Sequence, residues 1–151
     1  MSKIFWFLLV FFTIFVNDNL IQIFIAISLA GLSLSAAIND AIKYMTFKTF
    51  IFALTWRVIP YFVLSLVIKK AIELDYSFIK PLAWGGLMGI VVFITTFTWL
   101  VLEPIYTDEK YSSAAVISII LIPIFSIISC GVSSMFAILF FKLCRQIKLN
   151  T

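Results

Sequence analysis

The chain has 151 residues, 64% of them hydrophobic and 12% charged, against about 45–50% and 25% in an ordinary soluble domain. Folding a domain of this size removes only about two thirds of its unfolded surface from water, so the remaining apolar side chains must face something else, and lipid is the candidate. The net charge of +4, from 11 basic and 7 acidic residues, is spread in ones, twos and threes beside apolar segments; that excludes a phosphate-tracking nucleic-acid groove and reads as topology determinants.

The expected fold is therefore an all-α integral membrane protein, a polytopic bundle of about four transmembrane helices with five as the alternative. One domain covers residues 1–151, because no hydrophilic stretch is long enough to build a soluble catalytic unit. The amino-terminal third is the ambiguous part, with residues 4–16 apolar, Asn17, Asp18 and Asn19 interrupting, and residues 20–37 apolar again. Thirteen residues reach only about 20 Å, short of the roughly 30 Å of hydrocarbon. The favoured reading lets residues 20–37 cross, with the first segment at the interface or extending the same helix. In the other reading both segments cross as a tight hairpin. Asn-Asp-Asn-Leu lacks the small-residue pattern of a signal-peptide cleavage site.

Residues 50–68, 82–102 and 113–141 are the three strongest spans. The last is longer than needed and contains Pro123, so it is expected to tilt or kink. Residues 142–151 form a short tail. Under four crossings one side holds Lys3, Lys69, Lys70, Lys80, Lys142, Arg145 and Lys148, and the other holds Lys43, Lys48 and Lys110 with Asp40, Glu103, Asp108 and Glu109. The positive-inside rule then puts both termini in the cytoplasm, in a cell (inner) membrane. Trp99, Tyr106 and Tyr111 fit an interfacial aromatic belt, and Glu103-Pro104 closes the third span.

Histidine is absent, removing the commonest metal ligand and general base. No phosphate-binding glycine loop, nucleophile elbow or paired-cysteine motif occurs. The chain is expected to be a non-enzyme with no cofactor and no metal. Cys130 and Cys144 stand 14 positions apart, about 21 Å along a helix, whereas a disulfide needs Cα atoms within about 7 Å.

Arg57 is the most informative residue, because a charge deep in a span costs about 2.5–3.5 kcal/mol and is usually kept for a reason. Either it faces the bundle interior, pairing with a carboxylate or holding a headgroup or anion, or it snorkels past Trp56 to an interface. Pro60, three residues on, withdraws a backbone donor nearby, and together they suggest a local polar pocket. Asp18 is the candidate partner if the first apolar stretch is one helix; otherwise it is solvated in a turn.

Small residues mark expected helix contacts: Gly85 with Gly89, Ser126 with Cys130 and Ser134, and Ala26 with Ala30, flanked by Gly31 and Ser35. Such ridges let backbones approach in lipid, and packing within the bundle is favoured over a homo-oligomer. Cys144, beside Lys142 and Arg145, reads as a plain boundary cysteine, although palmitoylation occurs in such settings.

The order of a small-residue helix, an Asn-Asp and Lys-bearing loop and a helix with Trp56-Arg57 resembles part of an XK-related lipid scramblase over about a third of the chain. The resemblance implies lipid movement around Arg57. Those proteins are much longer, and the second arginine of their pattern has no counterpart in residues 61–68. By elimination, the expected function is helix–helix association with another membrane protein, of accessory, immunity or exclusion type, with membrane lipids around it. The alternative is a transport or lipid-translocation component using a polar centre around Arg57.

Overall fold

The structure, a computed structural model, describes residues 1–16, 18–43, 46–107 and 114–149, with side chains at all of these except 18, 49, 114–120, 148 and 149. Among the described residues six helices follow one another: α1 (Lys3–Phe15), α2 (Asp18–Ser28), α3 (Leu34–Ile42), α4 (Phe47–Glu73), α5 (Ile79–Tyr106) and α6 (Ala114–Leu149). No strand occurs among the described residues. The molecule is an all-α bundle.

Among the described residues, three helices contain stretches long and apolar enough to cross a membrane, Phe50–Glu73, Ile79–Tyr106 and Leu121–Ile147. The count rises to four if α1 and α2, which meet at 68°, form one broken span. This corrects the expected crossing at residues 20–37. Gly31 adopts φ +62°, a left-handed conformation that costs glycine little. The Leu32 N–H reaches back six residues to the Ala26 carbonyl at 3.1 Å, so the chain folds back over the carboxyl end of α2, whose last carbonyls need such partners. Ser33 then caps α3, its hydroxyl accepting from the Ala36 N–H at 3.4 Å, as a serine at that position should. A stop signal followed at once by a start signal breaks the run into two short helices. The Asn39, Asp40 and Lys43 segment, expected as loop, is the end of α3 and its cap.

The other boundaries follow similar local chemistry. Ser2 caps α1 by accepting from the Phe5 N–H at 3.3 Å. The α4–α5 connection turns at Asp75, whose φ of 49° is a conformation that aspartate tolerates better than most residues. Helix α5 continues through Pro104 to Tyr106 rather than ending at Glu103, and α6 continues through the expected tail to Leu149.

Helix α1 runs antiparallel to α4, and α5 antiparallel to α6. At one end of the bundle Trp6 lines a cavity with Lys69 and Glu73, the rings of Phe5 and Trp84 meet edge-on at 5.2 Å, and Phe78 meets Phe141 at 6.2 Å. Lys142 lies 5.2 Å from the centre of the same Phe78 ring. Helices α2 and α3 pack on each other at the opposite end, with α2 laid against α5. The core consists of Phe5, Leu9, Tyr61, Leu64, Ile68, Leu87, Ile90 and Ile94 with their neighbours.

Candidate functional site

The buried stripe of α4 is Tyr61, Leu64, Ile68 and Ala71, the three-and-four spacing of one helix face. Arg57 stands one turn before Tyr61 and continues that stripe toward the α2–α3 end. It is half-buried. Pro60 is fully buried beside it and cannot donate to the carbonyl four residues back. The next residue, Val58, shares a groove with Thr13 and Ile14 in the last turn of α1. Arg57 and Pro60 are thus together on the bundle-facing side of α4. The Asp18 side chain lies outside the described residues, as do Asp108, Glu109, Lys110 and Tyr111. The Tyr61 hydroxyl and the Thr98 hydroxyl are buried without a hydrogen-bond partner among the described residues.

Gly85 and Gly89 form the α5 side of a tight seam with α6. A Cβ added at Gly85 would lie 2.6 Å from the Ala137 Cβ and 2.8 Å from the Ser133 carbonyl oxygen. One added at Gly89 would lie 2.5 Å from the Ser133 hydroxyl and 2.8 Å from the Ser129 carbonyl oxygen. The α6 serines stitch the seam: Ser129 donates to the Gly89 carbonyl at 3.1 Å and Ser134 to the Leu82 carbonyl at 3.0 Å. Ser126, Cys130 and Ser134 are all buried, with Ser126 turned back onto the Ile122 carbonyl of its own helix at 2.6 Å. Both cysteines are free thiols on α6. Gly86, which the spacing argument passed over, marks where three helices converge: its added Cβ would meet Leu64, Ser134 and Cys130 at 2.8–3.0 Å.

The third expected ridge fails. Ala26 is fully buried, but Ala30 is exposed in the turn after α2. The helical spacing that would align Ala26 with Ala30, Gly31 and Ser35 ends at Ser28.

A polar cluster that the sequence reading missed ties α2, α3 and α5 together. The Tyr106 hydroxyl donates to the Asp40 carboxylate at 2.6 Å. The Gln22 amide donates to the Tyr106 oxygen at 3.0 Å and reaches the same carboxylate oxygen at 3.5 Å. All three residues are half-buried. Tyr106 therefore serves this cluster and not only an aromatic belt. The available signal was Gln22, the single amide side chain within residues 20–37, since a polar group in an apolar run implies a partner.

Among the described residues, no three His, Cys, Asp or Glu side chains converge to hold a metal ion. In comparisons with protein-family models, curated proteins and solved structures, none matches this chain.

Proposed function

We propose that this is a multi-pass protein of the cell (inner) membrane, without enzymatic activity, that acts by associating in the bilayer plane with another membrane protein. The observation that carries the reading is the outer face of α6. The glycine–serine seam is consumed within the chain, yet α6 buries only 17% of its most apolar window, against 28% for α4 and 33% for α5. Ile124, Ile128, Met135 and Phe136 are exposed on it. In their midst Gly131 has no atom of another helix within 4 Å of where a Cβ would stand, among the described residues. An open glycine on an otherwise bulky helix face is where a second backbone can approach.

Pull-down of the full chain in mild detergent, followed by mass spectrometry, should return a stoichiometric heteropartner that is lost on Gly131→Leu. That substitution touches nothing inside the bundle, so loss of the partner reports the interface and not misfolding. Retention of the partner by Gly131→Leu, or a homo-oligomer alone, would overturn the reading.

The second reading is transport or lipid translocation. Its support is Arg57 on the bundle-facing stripe beside Pro60 and close to where α1 and α2 meet at an angle, as discontinuous helices do in transporters. For orientation, the gathering of Lys69, Lys80 and Lys142 at the end of the bundle that also holds the start of α1 supports a cytoplasmic carboxyl terminus under the positive-inside rule.

A further inference from the structure

Helices α1 and α4 leave a groove between them that opens to the membrane. Its outer part, about 490 Å³, is lined by Trp6, Ser65, Leu66, Lys69, Ile72 and Glu73. Its inner part, about 230 Å³, is lined by Leu9, Val10, Thr13, Val58, Tyr61 and Phe62 and again by Ser65, the residue that borders both. From Ile72 to Val58 the track follows α4 for about 21 Å at 1.5 Å per residue, more than the roughly 15 Å of one leaflet in a bilayer with 30 Å of hydrocarbon.

The inner part is apolar apart from three hydroxyl groups, of which that of Tyr61 is buried. Thr13 donates to the Leu9 carbonyl at 2.7 Å and Ser65 to the Phe62 carbonyl at 2.7 Å, so each satisfies its own helix. The mouth differs. Glu73 is engaged by Lys70 at 3.2 Å, which leaves Lys69 as the cation of the lining, with Lys3 one turn before Trp6. A helix about 10 Å across would need roughly 1,600 Å³ over that length, far more than the groove holds, whereas one acyl chain is slender enough.

We infer that the α1–α4 groove is a binding site for an anionic phospholipid, one acyl chain lying along Leu9, Val10 and Phe62 and the headgroup phosphate meeting Lys69. The inference depends on the membrane setting of the bundle and not on which partner α6 meets.

Native mass spectrometry of the full chain tests it. The protein, released from detergent, is incubated with phosphatidylglycerol or with phosphatidylcholine of the same chains. Phosphatidylglycerol adducts should survive at several-fold higher occupancy. Lys69→Gln, an exposed change that spares the core, should bring the two lipids level. Ser65→Phe, placed where the two parts of the groove join, should lower both. Equal retention of the two lipids by the unaltered chain would mean general solvation by lipid and overturn the proposal. So would selectivity that survives Lys69→Gln, which would put the headgroup elsewhere. A co-purifying polypeptide displaced by Ser65→Phe while the lipid adducts persist would assign the groove to a protein segment instead.

Discussion

The Ser129 hydroxyl donates to the Gly89 carbonyl at 3.1 Å across the α5–α6 seam, a bond that a short side chain can make only when the two backbones nearly touch. The seam therefore has no room on the α5 side. Gly89→Leu inserts four carbons where a single Cβ would already be 2.5 Å from the Ser133 hydroxyl, and overpacking of this kind costs about 1–3 kcal/mol or more. Gly131→Ala is the matched control: its site is open, and alanine gains up to about 1 kcal/mol of helix propensity over glycine. In thermal aggregation assays in detergent, Gly89→Leu should lower the midpoint markedly while Gly131→Ala leaves it level or raises it. Equal losses would mean that the seam is not the close contact described.

The second prediction concerns the cluster of Gln22, Asp40 and Tyr106. Tyr106→Phe keeps the ring and deletes the donor to a carboxylate, a class of bond worth about 1.5–3 kcal/mol. Hydrogen exchange should speed up in α2 and α3 and stay unchanged in the α5–α6 seam. Combined with Asp40→Asn, the double variant should lose less than the sum of the single changes, since the two residues share one bond. Strict additivity would show that the bond contributes nothing.

Some of this was legible in the sequence and some was not, for identifiable reasons. The three long spans were, because an apolar run of that length admits few other structures. The Gly85–Gly89 ridge was too, because small residues four apart on one helix share a face whatever packs there. The break at Gly31 went unread, although a glycine followed by Ser33 is a stop signal and then a cap. In a run of uniform hydropathy such local signals carry no contrast. Gln22, Asp40 and Tyr106 meet from positions far apart in the chain, and a lone sequence has no term for such a contact. Ala30 failed as a packing residue for the same reason as the expected span, since its helix had already ended.

Orientation gives the third prediction. A reporter fused after Thr151 should be active in the cytoplasm, and one inserted between Thr107 and Lys110 should report the opposite side. The basis is the concentration of Lys and Arg at one end of the bundle. The inverse pattern of activities would remove the assignment.

Arg57 separates the two functional readings most sharply. It continues the buried stripe of α4 one turn beyond Tyr61 and is half-buried, seven residues inside the apolar stretch that begins at Phe50, about 10 Å along the helix. Arg57→Leu removes a charge that costs about 2.5–3.5 kcal/mol to place at depth, so membrane insertion should be preserved or eased while function falls. Arg57→Lys should restore function only in part, because the ammonium keeps the charge but lacks the planar fork that grips a carboxylate or phosphate. A charged thiol reagent should label Arg57→Cys slowly from either side, since the stripe faces the bundle. If Arg57 instead snorkels to an interface, Leu and Lys are both tolerated and the introduced thiol is labelled readily from one side. That combination would strip α4 of its polar centre and leave association through α6 as the remaining reading.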